Sequence, residues 1–197
     1  MAIEIELKAW VNDPEATKRA IESFAVPGGQ YRKDDAYWRP AQGTELTTSG
    51  AGRLGSGVRI RRMDLSEPAA IVNFKRKEVR DGIEVNDERE FEVSDAAVFS
   101  ELLTRLGLTV WIRKRKTGEE WTWEGITIEL SEIEDLGYFV ELEILAEKDD
   151  SATVADARGR LLAALKKIGI PETKIEARYY TEMLSAKSKA GEYPHSP

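Results

Sequence analysis

Apolar and charged residues alternate along several short stretches of the chain, and this pattern predicts amphipathic β-strands. In the stretch 3–8, the apolar side chains fall on one face of the strand, and Glu4, Glu6 and Lys8 fall on the other. The alternation recurs to give about eight strands, the others at 35–38, 58–61, 71–77, 88–93, 111–115, 126–133 and 139–144. We therefore expect a sheet with one apolar face and one charged face.

Helical periodicity interrupts these strands. Asp13 followed by Pro14 is typical of a helix start, because the carboxylate caps free amides and proline suits the first turn. Ser94 is the expected cap of a second helix, and Asp150 or Ser151 begins a third. The predicted helices cover about 14–24, 94–106, 150–168 and 179–184. The chain therefore predicts an α+β fold.

Glycine-rich and polar segments mark the predicted loops and the domain limits. The stretch 40–57 is rich in glycine, threonine and serine, and we expect a flexible loop there. Thr117 and Gly118 are expected to form a turn after strand 111–115, and residues 186–197 to form a disordered tail. The remaining 1–185 make a single domain, since 197 residues are too few for two well-buried ones.

Composition excludes several classes of function. The net charge of −7 argues against nucleic acid or an anionic membrane as the main partner, because both require a basic surface. There is no cysteine and His195 is the single histidine, so thiolate sites, zinc sites and histidine catalysis are not expected. Without an apolar run long enough for a membrane span or a signal peptide, a cytoplasmic protein is expected.

Two architectures fit the alternating strands. In an open sheet the charged faces meet water, whereas in a closed barrel they line a lumen and helices cover the outside. Composition does not decide between them. The charges favour the lumen, because each strand collects one sign, whereas a solvated face usually mixes signs. Basic pairs occur at 59/61, 75/77 and 113/115, and acidic groups at 4/6, 88/90/92 and 141/143.

The collected charges indicate a particular ligand chemistry. Carboxylates two positions apart on a strand, such as Glu4 and Glu6, have a repulsion energy of about 2 kcal/mol at a dielectric constant of about 20. Water, basic neighbours or a metal ion must offset this repulsion. Arginine and lysine bind phosphate oxygens, and glutamates bind hard Mg²⁺ or Mn²⁺ ions. A polyphosphate with its divalent cation needs both kinds of residue.

The motifs in their order along the chain resemble the CYTH superfamily of triphosphate tunnel metalloenzymes. The stretch 4–8 resembles its ExExK signature, 57–61 its arginine strand and 74–75 its lysine strand. The resemblance continues through 89–92, 113–115, 136–143 and 178–184, and it spans residues 3 to about 184. One position departs from the family pattern: Ser131 stands where an aspartate is common, and Glu129 on the same face could substitute for it.

The resemblance implies an eight-stranded antiparallel barrel enclosing a triphosphate tunnel with a charged lumen, flanked by helices. It implies one or two Mg²⁺ or Mn²⁺ ions on Glu4, Glu6, Glu90, Glu141 and Glu143, with Glu129 in place of the missing aspartate. The expected catalytic residues are Lys8 and Lys75. The expected substrate-binding residues are Lys8, Arg59, Arg61, Lys75, Lys77, Arg113 and Arg115.

The same resemblance leaves the reaction open. The layout is closest to the class IV adenylyl cyclase branch, which forms cyclic AMP and pyrophosphate from ATP, but hydrolysis of tripolyphosphate or thiamine triphosphate is almost equally compatible. A more distant alternative is a non-catalytic polyphosphate- or nucleotide-binding module. Trp38, Trp111, Trp121 and Trp123 could stack on a base, although such residues more often belong to the core. The expected partner is a small-molecule triphosphate, and a monomer and a homodimer are both compatible.

Overall fold

A computed structural model of the protein describes residues 3–41, 54–63, 65–80 and 83–189. For residues 54–56, 75–78, 80, 87, 88 and 189 it describes the backbone alone. The described residues form eight β-strands, which are β1 (Ile3–Trp10), β2 (Val26–Pro40), β3 (Leu54–Arg62), β4 (Ala70–Arg80), β5 (Ile83–Val93), β6 (Leu108–Trp123), β7 (Ile126–Ile133) and β8 (Gly137–Ala146).

The eight strands close into a barrel in the order β1-β5-β4-β3-β2-β6-β7-β8, and β8 pairs back with β1. All neighbouring strands are antiparallel. The predicted α+β fold with an eight-stranded antiparallel barrel is therefore confirmed. The register sets which charges meet: Glu6 of β1 lies opposite Glu84 on one side and Glu143 on the other.

Two strands are longer than their sequence pattern predicts. The strand expected at 35–38 is part of β2, which begins at Val26. The turn predicted at Thr117 and Gly118 is wrong, because β6 continues through it while paired with both β2 and β7. Gly118 is required for close packing rather than for a turn, since a Cβ atom there would come within 2.5 Å of the Leu130 carbonyl oxygen.

The described helices surround the barrel. They are α1 (Pro14–Glu22), α2 (Ala96–Arg105), α3 (Ser151–Ile168) and α4 (Tyr180–Lys189), with a 3₁₀ turn at Glu172–Lys174. Asp13 caps α1 and Asp150 caps α3, as expected, whereas α2 is capped by Asp95 rather than by Ser94. Among the described residues, no helix combines the length and the apolar character that crossing a membrane requires.

The predicted loop and the predicted tail are both shorter than expected, because the neighbouring strands and helix extend into them. Pro40 still belongs to β2 and β3 begins at Leu54, so the segment between these strands is shorter than 40–57. Residues 42–53, where flexibility was expected, lie outside the described residues. Helix α4 continues to Lys189, so 186–189 are helical rather than part of a tail, and 190–197 also lie outside the described residues.

The main hydrophobic core lies outside the barrel wall, beneath α3 and α1. Ile5, Leu7 and Leu142 point outward from β1 and β8 and pack with Leu161 and Leu165 of α3, all of them at most 1% exposed. A smaller cluster beneath α2 covers the outer face of β2, β3 and β4. Because the apolar faces point toward the helices, the charged faces of the same strands point into the barrel.

Candidate functional site

The inward-facing side chains line a central cavity of about 150 Å³. Six basic and seven acidic described residues line it, namely Lys8, Lys33, Arg59, Arg61, Lys114, Lys116, Glu4, Glu6, Glu84, Glu90, Glu129, Glu141 and Glu143. The rest of the lining consists of Tyr37, Gly57, Asn73, Thr127, Tyr179, Tyr180 and Thr181. The predicted charged lumen is therefore confirmed.

Nine of the residues singled out from the sequence meet in this cavity, namely Glu4, Glu6, Lys8, Arg59, Arg61, Glu90, Glu129, Glu141 and Glu143. Lys75 and Lys77 lie in β4, where they are paired with Glu88 and Asn86 of β5. The side chains of both lysines lie outside the described part of the structure. Within the described part, the tryptophans considered for base stacking are absent from the cavity wall.

Arg113 and Arg115 lie on the outside of the barrel, so their predicted place in the lumen is wrong. The exposed Arg115 pairs with Asp34 at 2.9 Å and Glu134 at 2.8 Å. Lys114 and Lys116 take the inward positions instead and are 6% and 4% exposed. The sequence could not set this phase, because residues 113–116 are all basic and two apolar residues precede them.

Asp35 anchors a buried charge cluster at one side of the lumen. Its side chain has no exposed area, and Arg61 donates two hydrogen bonds to it, at 2.8 and 3.0 Å. The Lys114 ammonium lies 3.1 Å from the same carboxylate. Burial alone would raise the pKa of Asp35, but Arg61 and Lys114 outweigh it and hold that pKa well below its usual range. The cluster therefore fixes two cations that face the cavity.

Glu129 and Glu141 lie directly opposite each other on β7 and β8. The Lys116 ammonium contacts both carboxylates, and Lys33 approaches Glu129 to 2.6 Å. Tyr31 also donates a hydrogen bond to Glu129 at 2.9 Å. Burial opposes the charge of Glu129, yet the two lysines lower its pKa below the usual range, whereas burial lowers the pKa of Lys116 to about 8.

The carboxylates in the lumen fit a hard divalent cation by their chemistry. Glu6 and Glu143 form a second opposed pair next to that of Glu129 and Glu141, so oxygen ligands come from neighbouring strands. Over the described residues, no three acidic side chains converge closely enough to form a ready-made metal site. The Lys116 ammonium between Glu129 and Glu141 nevertheless shows that this space accepts a cation.

Ser131, the departure from the family pattern, does not line the cavity. It is 1% exposed and packs against Gly118. Glu129, two positions earlier on the same face of β7, does line the cavity. The role of Glu129 as a metal ligand in place of the missing aspartate stays a prediction.

The lumen contains residues that sequence reasoning missed. Asp35 and Lys33 gave no signal, because both faces of the stretch 32–35 are charged. Glu84, which pairs with the buried Lys8, could have been found from the sequence, because residues 83–86 alternate apolar and polar residues like the other strands. Tyr180, the first residue of α4, and Tyr179 just before it also reach the lumen, and their sequence predicts only a helix.

Fold and site together define a closed antiparallel barrel whose lumen carries facing rows of basic and acidic side chains. The chain belongs to the CYTH domain family, whose match covers residues 2–180. Proteins of this family are enzymes that bind triphosphate substrates and generally depend on a divalent metal. No curated protein sequence matches this chain.

Several solved structures share this fold. The PH1819 protein from Pyrococcus horikoshii OT3 is 27% identical with a TM-score of 0.75, and the match covers 93% of this chain and 99% of that one. A candidate adenylate cyclase from Vibrio parahaemolyticus is 20% identical with a TM-score of 0.72, covering 93% and 98%. A candidate adenylyl cyclase from Hippeastrum with a dominant triphosphatase activity is 20% identical with a TM-score of 0.65, covering 97% and 96%.

Proposed function

We propose that this protein is a metal-dependent triphosphatase that binds a triphosphate chain in the barrel lumen and hydrolyses a phosphoanhydride bond. The observation that carries the proposal is the single cavity in which basic residues from β1, β3 and β6 face glutamates from β1, β7 and β8. Such a wall suits a ligand that is both strongly anionic and associated with a cation.

Charge balance supports dependence on a metal ion. The described lining has one more acidic than basic residue, so a triphosphate entering alone would meet a lumen without excess positive charge. One or two divalent ions on the opposed pairs Glu129/Glu141 and Glu6/Glu143 would reverse that balance. Glu4 and Glu90 complete the proposed ligand set, and Mg²⁺ and Mn²⁺ suit its oxygen donors.

The chain's own residues bind and align the phosphates. Arg61 and Lys114 are held by Asp35, so their remaining donors are oriented before the substrate arrives. Lys8 and Arg59 add further donors to the cavity wall, and Lys75 is proposed to join them from β4. Phosphoryl transfer requires mainly this alignment and the neutralisation of charge on the transferred group and on the leaving oxygen.

In the proposed reaction, water attacks the terminal phosphorus in line with the bridging oxygen. The bond from phosphorus to that bridging oxygen breaks, and the products are orthophosphate and the shortened phosphate chain. A bound divalent ion would polarise the phosphoryl oxygens and neutralise the charge on the leaving group. Basic residues of the cavity, with Lys8 and Lys75 as the proposed catalytic lysines, would stabilise the same charge.

The positions of the tryptophans considered for base stacking favour hydrolysis over cyclisation of ATP. Cyclisation requires a surface that positions the adenosine, so that its ribose hydroxyl attacks the phosphorus. Within the described residues, Trp38 and Trp121 belong to the hydrophobic core, Trp123 packs edge-on against Phe24, and Trp111 lies against Arg39. The tripolyphosphate chain itself needs no such surface.

Product analysis tests the proposal. The protein is incubated with Mg²⁺ or Mn²⁺ and, separately, with tripolyphosphate, ATP and thiamine triphosphate. We expect release of orthophosphate, fastest from tripolyphosphate. The variant Glu141→Gln removes one proposed metal ligand and should lower turnover by at least about 100-fold, as loss of a metal ligand usually does. Glu132→Gln, on the outer face of β7, is the matched control and should retain activity.

Each other outcome has a definite meaning. Formation of cyclic AMP and pyrophosphate from ATP would replace the triphosphatase with the cyclase that the sequence layout favours. Binding of tripolyphosphate without turnover of any compound would instead establish a non-catalytic binding module. Unchanged turnover by Glu141→Gln would contradict the proposed metal site.

A further inference from the structure

The hydroxyl group of Tyr180 has no hydrogen-bond partner among the described residues. Tyr180 is 8% exposed, and it lines the same cavity as the charged side chains. Leaving a buried polar group unpaired destabilises a folded protein, so such groups are rare. Because Tyr180 lines the cavity, a ligand bound there is the candidate for the missing partner of its hydroxyl.

The ring of Tyr180 packs against Phe139 and lies near two lysines of the lumen. Its ring packs edge-on against Phe139, with the ring centroids 5.0 Å apart. The ammonium groups of Lys8 and Lys114 lie 5.5 and 5.1 Å from the ring centroid, and both lysines line the cavity. The Tyr180 ring thus lies beside two cations that are already fixed, one by Glu84 and one by Asp35.

Tyr180 is also the first residue of α4, and Thr181 beside it lines the cavity as well. The Glu182 carboxylate already accepts the Tyr179 amide hydrogen at this end, and the helix dipole places partial positive charge there. Burial raises the pKa of the Tyr180 hydroxyl well above its ordinary value, and the carboxylates of Glu6 and Glu84 raise it further. The hydroxyl therefore keeps its proton and can donate it in a hydrogen bond.

We propose that Tyr180 and the first turn of α4 form a binding site for a phosphate group of the substrate. The Tyr180 hydroxyl donates a hydrogen bond to a non-bridging phosphate oxygen. This inference rests on the proposed function and deepens it, since it adds an element from outside the barrel to the triphosphate site. Phosphate is the ligand that fits, because a hydroxyl donor, a helix N-terminus and two lysines all favour an anion that accepts hydrogen bonds.

The variant Tyr180→Phe tests the proposal, because it removes one oxygen atom and keeps the ring against Phe139. Binding of tripolyphosphate is measured by titration calorimetry, turnover is measured in the same preparations, and the melting temperature is recorded without ligand. We expect affinity for tripolyphosphate to fall about 10- to 100-fold, the factor provided by a hydrogen bond to a charged group. The melting temperature without ligand should stay the same or rise, because the hydroxyl has no partner to lose.

Tyr138→Phe is the matched control. Tyr138 lies on the outer face of β8 and is 37% exposed, so loss of its hydroxyl should leave tripolyphosphate affinity unchanged. If Tyr180→Phe binds tripolyphosphate within about twofold of the wild type, the proposed site is wrong even when turnover of the wild type establishes the triphosphatase. A clear fall in the melting temperature of Tyr180→Phe would also overturn it, because the hydroxyl would then have a partner within the protein.

The two proposals fail in different ways. Wild-type protein that binds tripolyphosphate without hydrolysing it would contradict the triphosphatase, and weaker binding by Tyr180→Phe would still support the α4 site. Wild-type protein that does not bind tripolyphosphate at all would overturn both.

Discussion

The Asp35 carboxylate accepts two hydrogen bonds from the Arg61 guanidinium, at 2.8 and 3.0 Å, where the Asp35 side chain is fully buried. Removing one partner of a buried ion pair leaves an uncompensated charge, which typically costs about 3–5 kcal/mol. We therefore expect Asp35→Ala to lower the free energy of unfolding in urea by that amount. Asp34→Ala, which removes the neighbouring carboxylate on the outer face, should cost about 1 kcal/mol or less. Equal effects of both variants would contradict the buried cluster.

Low pH should reduce the free energy of unfolding partly through the Asp35–Arg61 pair. Because the pKa of Asp35 in the folded state lies well below its value of 3.8 in the unfolded chain, its contribution to stability is fully present above that value. The contribution is lost as the pH falls toward the folded-state pKa. We expect the difference in unfolding free energy between the wild type and Asp35→Asn to shrink between about pH 5 and about pH 2. A constant difference over that range would show that folding does not shift the pKa of Asp35.

The inward and outward positions on β6 can be separated by two adjacent substitutions. Lys114→Met removes a buried ammonium at the cavity wall, and we expect tripolyphosphate affinity to fall at least about tenfold. Arg115→Met removes an exposed guanidinium paired with Asp34 and Glu134, and it should leave that affinity within about twofold. Titration calorimetry of both variants measures the difference. A larger loss of affinity in Arg115→Met than in Lys114→Met would show that Arg115, and not Lys114, faces the lumen.

Lys116 should compete with a divalent ion for Glu129 and Glu141, because its ammonium contacts both carboxylates. In Lys116→Met these carboxylates lose a cation, so the melting temperature without metal should fall. Adding Mn²⁺ or Mg²⁺ should then raise it by more than in the wild type, because the metal binds the folded state more tightly. Lys148→Met, an exposed substitution, provides the control. If the metal raises the melting temperatures of Lys116→Met and of the wild type equally, Glu129 and Glu141 are not its ligands.

The packing of α3 on the barrel should dominate stability. Leu161 has no exposed area within the main core, and Leu161→Ala should lower the free energy of unfolding by about 2–5 kcal/mol. Leu102, on the outer side of α2, is 48% exposed, and Leu102→Ala should cost about 1 kcal/mol or less. Urea unfolding of the two variants compares them. Similar losses would contradict the position of the core beneath α3.

The alternation of the strands, and therefore the nature of the barrel wall, could be predicted from the sequence. In β1 the phase is unambiguous, because Ile5 and Leu7 can face only a core and Glu4, Glu6 and Lys8 must then face the opposite side. The same argument held for Glu141 and Glu143 in β8. Helix starts at Asp13 and Asp150 were equally local, since each depends on a cap within three residues of the chain.

Where both faces of a strand are charged, the side that points into the barrel depends on long-range pairing in the folded protein. In β2 and β6, Asp35 pairs with Lys114 because the register between these strands places them opposite each other within the barrel. No local preference distinguishes Lys114 from Arg113 or Arg115. The contact of α4 with the lumen is likewise a long-range arrangement: Tyr180 reaches Lys8 and Phe139 only after the barrel has closed, because these residues are distant in the chain.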